Sequence, residues 1–180
     1  MANLFRKVKK NAFRSINIPK FDKSIDDRCK KNNWFKLKKK PDILILEGWC
    51  VGARAEGSRS LNRPINILEK NVDKKKIWRS YVNNQLKSKY SKLFDQLDSL
   101  LYLKAKNFKL LKRWRLKQEK KLKMKSGTKK NSKIMNKKEV ETFMMTYQRI
   151  TQNMFKNTPK YSSAVIDLNE NHQIKKVRFK

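Results

Sequence analysis

Glycine is scarce in this chain. Only Gly48, Gly52, Gly57 and Gly127 occur among 180 residues. None of them belongs to a G-x-x-x-x-G-K-[ST] loop, in which backbone N–H groups cradle phosphates. Cysteine and histidine are scarcer still. Cys29, Cys50 and His172 cannot assemble a four-ligand zinc site or a disulfide framework. Two thiols without a second pair suit a reducing, cytoplasmic compartment. No apolar run approaches the roughly 20 residues that cross a bilayer, so no membrane partner is expected. Residues 1–10 are basic, but no apolar segment follows to make them a secretory signal.

Negative charge is the other shortage. There are 15 Asp and Glu against 48 Lys and Arg, a net charge of +33. Such a balance points first to nucleic acid or an anionic surface. The lysines, however, run from Lys7 to Lys180 and come with many asparagines. That spread reads as a solvated basic surface binding nucleic acid only by non-specific attraction. A dedicated basic nucleic-acid-binding protein is the alternative. Its best features are Trp114 between Arg113 and Arg115, and the lysines Lys129, Lys130 and Lys133.

The length suits a single domain over residues 1–180. The first forty residues read as basic and irregular, punctuated by Pro19 and Pro41. Next comes Asp42-Ile43-Leu44-Ile45-Leu46-Glu47-Gly48-Trp49. Its apolar middle, residues 43–46, predicts a central strand that delivers a carboxylate at its end. Residues 51–73 read as a long functional loop carrying Arg54, Arg59 and Arg63. Ile77, Tyr81, Leu86, Tyr90, Leu93, Phe94 and Leu97 recur at helical spacing. Residues 98–103 predict a second strand. Phe108, Leu111, Trp114 and Leu122 mark a helix crowded with cations. Residues 126–133 form a flexible basic linker around Gly127. Asn136 and Glu139 are spaced as a capping box at the start of another helix, and residues 163–168 predict a last strand. The alternation argues for an α/β layer with parallel strands and flanking helices.

An ordered series of residues carries a family likeness. Pro19-Lys20-Phe21-Asp22-Lys23-Ser24, Arg28, Trp34 and Asp42 to Trp49 resemble the later part of the glycerate kinase-like P-loop kinases. These are relatives of uridine kinase and phosphoribulokinase. The likeness continues through Ile65-Asn66, Leu68-Glu69, Asp73, Trp78, Val82-Asn83, Leu86 and Tyr90. Trp114-Arg115-Leu116 with Gln118-Glu119 is similar to the family's lid. Phe143, Tyr147 and residues 164–168 are similar to its closing helix and strand. The likeness covers about residues 18–174. There are two departures. Ile25-Asp26-Asp27 stands where the family has glycines before the arginine of its Asp-Arg pair. The family's first strand, Walker A loop and following helix have no counterpart.

The resemblance implies part of a P-loop NTPase-type parallel sheet, with the N-terminal strand and P-loop missing. It implies a cytoplasmic kinase that uses ATP and Mg²⁺ to phosphorylate a hydroxyl on a small, glycerate-like acceptor. A chain lacking the phosphate loop would be incomplete or inactive alone, and a separate N-terminal P-loop segment is then an implied partner. Glu47 would hold Mg²⁺; its competing reading is a strand-end acid capping a turn. Asp22 would orient or deprotonate the acceptor hydroxyl, or be a turn aspartate after Pro19. Lys23, Arg28 and Trp49 would face the acceptor, Arg28 by forking onto a carboxylate; the competing readings are a solvated arginine for Arg28 and core packing for Trp49. Arg113 and Arg115 lie two apart and cannot share one helix face, so one would meet ATP phosphates and the other solvent. Arg115 fits the lid motif better.

Overall fold

A computed structural model of the chain describes residues 2–10, 12–22, 27–126 and 134–180. Helix α1 (Ala2–Lys9) buries Phe5 and Val8. Four very short strands follow: β1 (Ile16–Ile18), β2 (Phe21–Asp22), β3 (Asp27–Arg28) and β4 (Phe35–Leu37). β1 pairs antiparallel with β4, Ile16 opposite Leu37, and β2 with β3. The sequence reading had this stretch irregular. Pieces of two or three residues are too short to show alternation, and only pairing reveals them.

Residues 43–46 are not a strand, and this corrects the sequence reading. The segment is extended, yet among the described residues no backbone hydrogen bond engages residues 43–48. Ile43 is 78% exposed and Ile45 83%. An apolar run fits a central strand only where neighbours pair with both its edges, and here neither edge is paired.

Beyond that segment the later helices and strands agree with the sequence reading, but residues 51–73, expected to be a loop, hold a 3-10 turn (Ser58–Asn62) and a short helix. Asn66 caps α2 (Ile67–Asn71) by accepting the Glu69 N–H. Helix α3 (Ile77–Gln85), a five-residue π turn (Leu86–Tyr90) and α4 (Ser91–Phe94) form one continuous helical stretch. This stretch carries the periodicity of Ile77 to Phe94. Strand β5 (Leu101–Lys104) leads to α5 (Phe108–Ser126), whose first turn is capped by Asn107, with Oδ1 2.9 Å from the Leu110 nitrogen. Helix α6 (Lys137–Asn157) starts at the expected capping box, with Asn136 and Glu139 bonded reciprocally. Strands β6 (Ala164–Leu168) and β7 (Ile174–Phe179) close the chain.

The main sheet has the order β5-β6-β7. β5 and β6 are parallel, with Leu101 opposite Ala164. β7 returns antiparallel to β6 across a polar turn at residues 169–173 and was not anticipated. Among the described residues β5 therefore has one neighbour and one open edge. On that strand Leu101 and Leu103 are each 62% exposed. The core is small. Met154 of α6, Leu86 and Ala53 are buried together, with Cys50, Val82, Tyr102 and Ile150 around them. Each such aliphatic side chain contributes about 1.5–3 kcal/mol when fully buried. They join the loop after residue 49 to the helices and to β5.

Candidate functional site

A cleft of about 1720 Å³ lies between residues 43–48 and the open side of β5. Ile43, Ile45, Leu101 and Leu103 supply apolar walls, and Ile166 and Leu168 of β6 continue them. Glu47, Trp49, Arg115, Lys117, Gln118 and Lys121 also line it. In parallel α/β sheets, ligands sit outside the carboxyl ends of the strands, and β5 ends at Lys104, just before lining residue Ala105.

One stacked and one tilted ring contact fix Trp49. Its indole lies on Tyr147 of α6, centroids 5.2 Å apart and planes 14° apart. Phe143, one helical turn earlier, packs on Tyr147 at 5.0 Å. The Arg115 guanidinium lies 5.2 Å from the centre of the Phe143 ring, a cation–π contact from α5. Arg115 is held further by Gln118 Oε1 at 2.6 Å and Glu119 Oε1 at 2.5 Å. Among the described residues its buried Nε has no hydrogen-bond partner. Glu119 is itself buried and accepts the Met135 N–H at 3.0 Å, so it ties α5 to the start of α6. One continuous set of contacts thus joins Arg115 to the segment bearing Glu47. Among the described residues Glu47 is exposed and has no hydrogen-bond or ion-pair partner. The neighbouring Cys50 is inert by comparison, because burial pushes its thiol up to about 11.

Residues 51–66 run on from this segment, and three polar clamps order them. Asn83 of α3 accepts the Glu56 N–H at 2.8 Å and donates to the Glu56 carbonyl at 3.1 Å. Arg79 donates to the Leu61 carbonyl at 2.8 Å and pairs with Asp73 at 3.0 Å. Arg149 of α6 is the third clamp and is buried. It grips Glu69 with two parallel bonds of 2.8 and 2.6 Å and reaches Glu56 at 3.0 Å. It also donates to the carbonyls of Ser60 and Arg63. Burial alone would raise the Glu69 carboxyl, but Arg149 and the Ile65 N–H outweigh it and hold it below the usual range. The Arg149 guanidinium is raised in turn, first by its hydrogen bond to Glu69. Sequence reasoning missed Arg149. No periodic signal marked it, because at about 100° per residue Arg149 falls on the face opposite Val140, Met144 and Met154 and is buried by different neighbours.

The site residues named from sequence are only partly brought together. Glu47, Trp49 and Arg115 share the cleft. Asp22 and Arg28 sit on the β2–β3 pair and do not line it. Asp22 is half-buried; Arg28 is exposed, and its N–H meets Asp27 Oδ1 at 2.6 Å. Lys23 lies outside the described residues, as do positions 127–133 of the expected linker. Arg113 is held at 2.5 Å by Glu170 in the β6–β7 turn. Beside it Trp114 stacks on His172 at 4.1 Å and donates to the Glu170 carbonyl. That docks α5 on the hairpin.

Comparison with known proteins follows from this geometry. No family model matches the chain. The D-glycerate 3-kinase of Cryptococcus neoformans var. grubii serotype A superposes with a TM-score of 0.71 at 20% identity. The match covers 92% of this chain and 60% of that one. The fold is kinase-like. The YGR205w protein gives a TM-score of 0.66 at 26% identity, over 100% of this chain and 64% of that one. In sequence, the kinase-like chain is similar to an uncharacterized kinase, mug58, of Schizosaccharomyces pombe (strain 972 / ATCC 24843). Identity there is 32% over 127 residues, 67% of this chain and 44% of that protein. The chain therefore spans less than two thirds of each of these relatives.

Proposed function

We propose that the chain forms the acceptor and lid portion of a kinase that moves the γ-phosphoryl of ATP to a hydroxyl of a small, glycerate-like metabolite. The observation that carries this reading is the meeting of Glu47, Trp49 and Arg115 on one cleft of a kinase-like fold. Phosphoryl transfer asks the protein for positioning and charge stabilisation more than for covalent chemistry. A single unpaired carboxylate suits Mg²⁺, which keeps several waters and takes one or two carboxylates besides the substrate phosphates. Glu47 is that carboxylate. When bound, Mg²⁺ neutralises charge on the phosphates.

Arg115 has the lid role. Gln118, Glu119 and Phe143 preorganise its guanidinium, so little reorganisation is needed when negative charge develops. Trp49 forms an aromatic side of the acceptor pocket, with Tyr147 behind it. Asp22 orients or deprotonates the acceptor hydroxyl, and Lys23 and Arg28 draw its carboxylate, once the β2–β3 pair meets the cleft. Arg113, paired with Glu170, anchors the lid helix and adds positive potential toward ATP. The reading places the chain in the cytoplasm. No helix among the described residues is long and apolar enough to cross a membrane.

Nucleotide phosphates need a backbone N–H cradle. Gly52 and Gly57 have the spacing of one, but Ser58 and Arg59 follow in place of Lys and Ser or Thr. These 180 residues are therefore expected to show little turnover alone. A separate segment bearing the phosphate loop would complete the enzyme. The test is an ATP-consumption assay with D-glycerate and Mg²⁺, run on the chain alone and with such a segment supplied. Turnover only in the second case, lost with Glu47→Gln, supports the reading. Strong Mg²⁺-dependent turnover by the chain alone would refute its dependence on a second segment.

A further inference from the structure

A second concavity lies at the amino ends of the parallel strands. It measures about 470 Å³, within the roughly 300–1,000 Å³ of a small-molecule site. Leu100, just before β5, and Ser163, just before β6, line it. Residues 97–100 line both hollows, whereas Glu47, Trp49 and Arg115 line only the cleft. Arg54, from the loop after residue 50, is held in this second pocket. Its guanidinium lies 4.5 Å from the centre of the Tyr161 ring, a cation–π contact. Tyr161 is fixed in turn. Its hydroxyl donates to the Gly52 carbonyl at 2.9 Å and lies 3.0 Å from the buried Thr158 hydroxyl. The backbone is held as well, since the Arg54 carbonyl accepts from the Asn153 side chain at 2.8 Å. Yet among the described residues the Arg54 guanidinium has no hydrogen-bond or ion-pair partner. The Lys87 ammonium lines the same pocket and is likewise unpaired among those residues. The two acids of the pocket are engaged: Asp98 takes Lys9 at 2.7 Å, and Asp95 accepts the Ser91 hydroxyl at 3.1 Å.

We propose that this pocket binds a small molecule through a single carboxylate or phosphate group, forked by Arg54 and approached by Lys87. A guanidinium already positioned on a ring, with its N–H donors unused, is preorganised for an oxyanion. Less ordering entropy is then lost when the anion arrives. Asp95 and Asp98 set the limit on charge. Beside two unpaired cations they leave room for one anionic group and disfavour a polyanion such as a triphosphate. The pocket therefore selects a different class of ligand from a nucleotide. The site does not rest on the kinase reading, because none of the residues given a catalytic or lid role lines it.

The test uses the full 180-residue chain, with acetate and inorganic phosphate as probes in separate titrations at fixed ionic strength. Backbone amide shifts of Gly52, Ala55, Leu100 and Ser163 are followed by NMR. Saturable shifts at these amides are expected with at least one probe. Saturation by acetate alone identifies a carboxylate ligand, and saturation by phosphate alone a phosphate ligand; either upholds the site. Arg54→Gln is expected to weaken binding at least about tenfold, with little change in the unfolding midpoint because the side chain is exposed. Arg54→Lys keeps the charge but not the fork, and is expected to weaken it too. Arg59→Gln, at an exposed arginine of the same loop outside the pocket, is expected to leave it unchanged. Non-saturating shifts spread over the lysine surface would mean diffuse attraction to a net charge of +33 and overturn the site. Full affinity in Arg54→Lys would reduce Arg54 to a point charge and overturn the fork. Shifts confined to residues 43–48 would place the anion in the cleft and also overturn the proposal, as would the absence of shifts with both probes.

Discussion

Trp49 and Tyr147 lie face to face, 98 residues apart in sequence, with ring centroids 5.2 Å apart. The contact ties the end of the Glu47 segment to the closing helix. Since residues 43–48 have no backbone pairing of their own, this stack largely sets where Glu47 and Trp49 stand. Tyr147→Ala is expected to lower stability by about 1–2 kcal/mol and to shift Trp49 fluorescence to the red. Chemical denaturation and emission spectra check this. In an enzyme completed by a phosphate-loop segment, acceptor KM should rise more than kcat falls.

Arg149 is the keystone of the polar interior. Removing it leaves Glu69 and Glu56 without their buried partner. Arg149→Ala is therefore expected to cost about 3–5 kcal/mol. Arg149→Lys should recover only part of that, because an ammonium cannot make the paired bonds to Glu69. Urea midpoints with an unchanged slope would identify a pure stability effect.

The lowered carboxyls make stability depend on acid. Glu69 and Asp73 are both held below their ordinary values, which in unfolded chains are about 4.3 and 3.9. For Asp73, burial opposes the shift, but the Trp78 and Arg79 N–H groups and the Arg79 guanidinium overcome it. A depressed folded-state value means that the stabilisation is complete above the unfolded value. It is lost as pH falls through the folded one. Stability should be flat above about pH 5 and fall steeply below about pH 4. Glu69→Gln should shallow that acid slope, as measured by unfolding free energy against pH.

Two glycines should respond in opposite ways. Gly52 has φ +79°, and a Cβ there would meet Leu100 at 2.7 Å. Gly52→Ala is expected to cost about 1–3 kcal/mol. Gly57 has φ −62° and open space around it. Gly57→Ala is expected to stabilise by about 0.4–1 kcal/mol by restricting the unfolded chain. Thermal melts of the two variants check the contrast.

Arg115 should matter for catalysis more than for folding. In the completed enzyme, Arg115→Lys, which keeps a cation beside buried Glu119 but loses the guanidinium fork, is expected to reduce kcat by about 10²–10³-fold with a modest change in melting temperature. A loss of the same size in both stability and activity would make it a structural residue only.

Much of the local structure was legible in the chain. Asn136 and Glu139 marked the start of α6 because a capping box is closed within four residues. Ile77 through Leu97 marked a helix because burying one face imposes a period, and the helical stretch ends at Phe94. Short apolar runs read as strands at 98–103 and 163–168 locate β5 and β6, which occupy 101–104 and 164–168. The hairpin arm β7 was missed, since all six of its residues are exposed and carry no buried face. Glu47, Trp49 and Arg115 were named from resemblance, and the fold puts them on one cleft. The stacking that holds them there involves residues far apart in sequence.

The sequence by itself determined the helical stretches after residue 75, the Asn136 capping box, the parallel character of β5 and β6, and the likeness to glycerate kinase-like proteins. Those properties depend on near neighbours or on ordered motifs. Tertiary structure decided the rest. It left residues 43–46 unpaired, because strand formation requires a partner edge. It chose Arg149 as the buried cation, because that choice depends on two carboxylates brought from 80 and 93 residues away. It separated Arg113, tied to Glu170, from Arg115, which faces the cleft, because two helix positions 200° apart meet different surroundings at about 100° per residue.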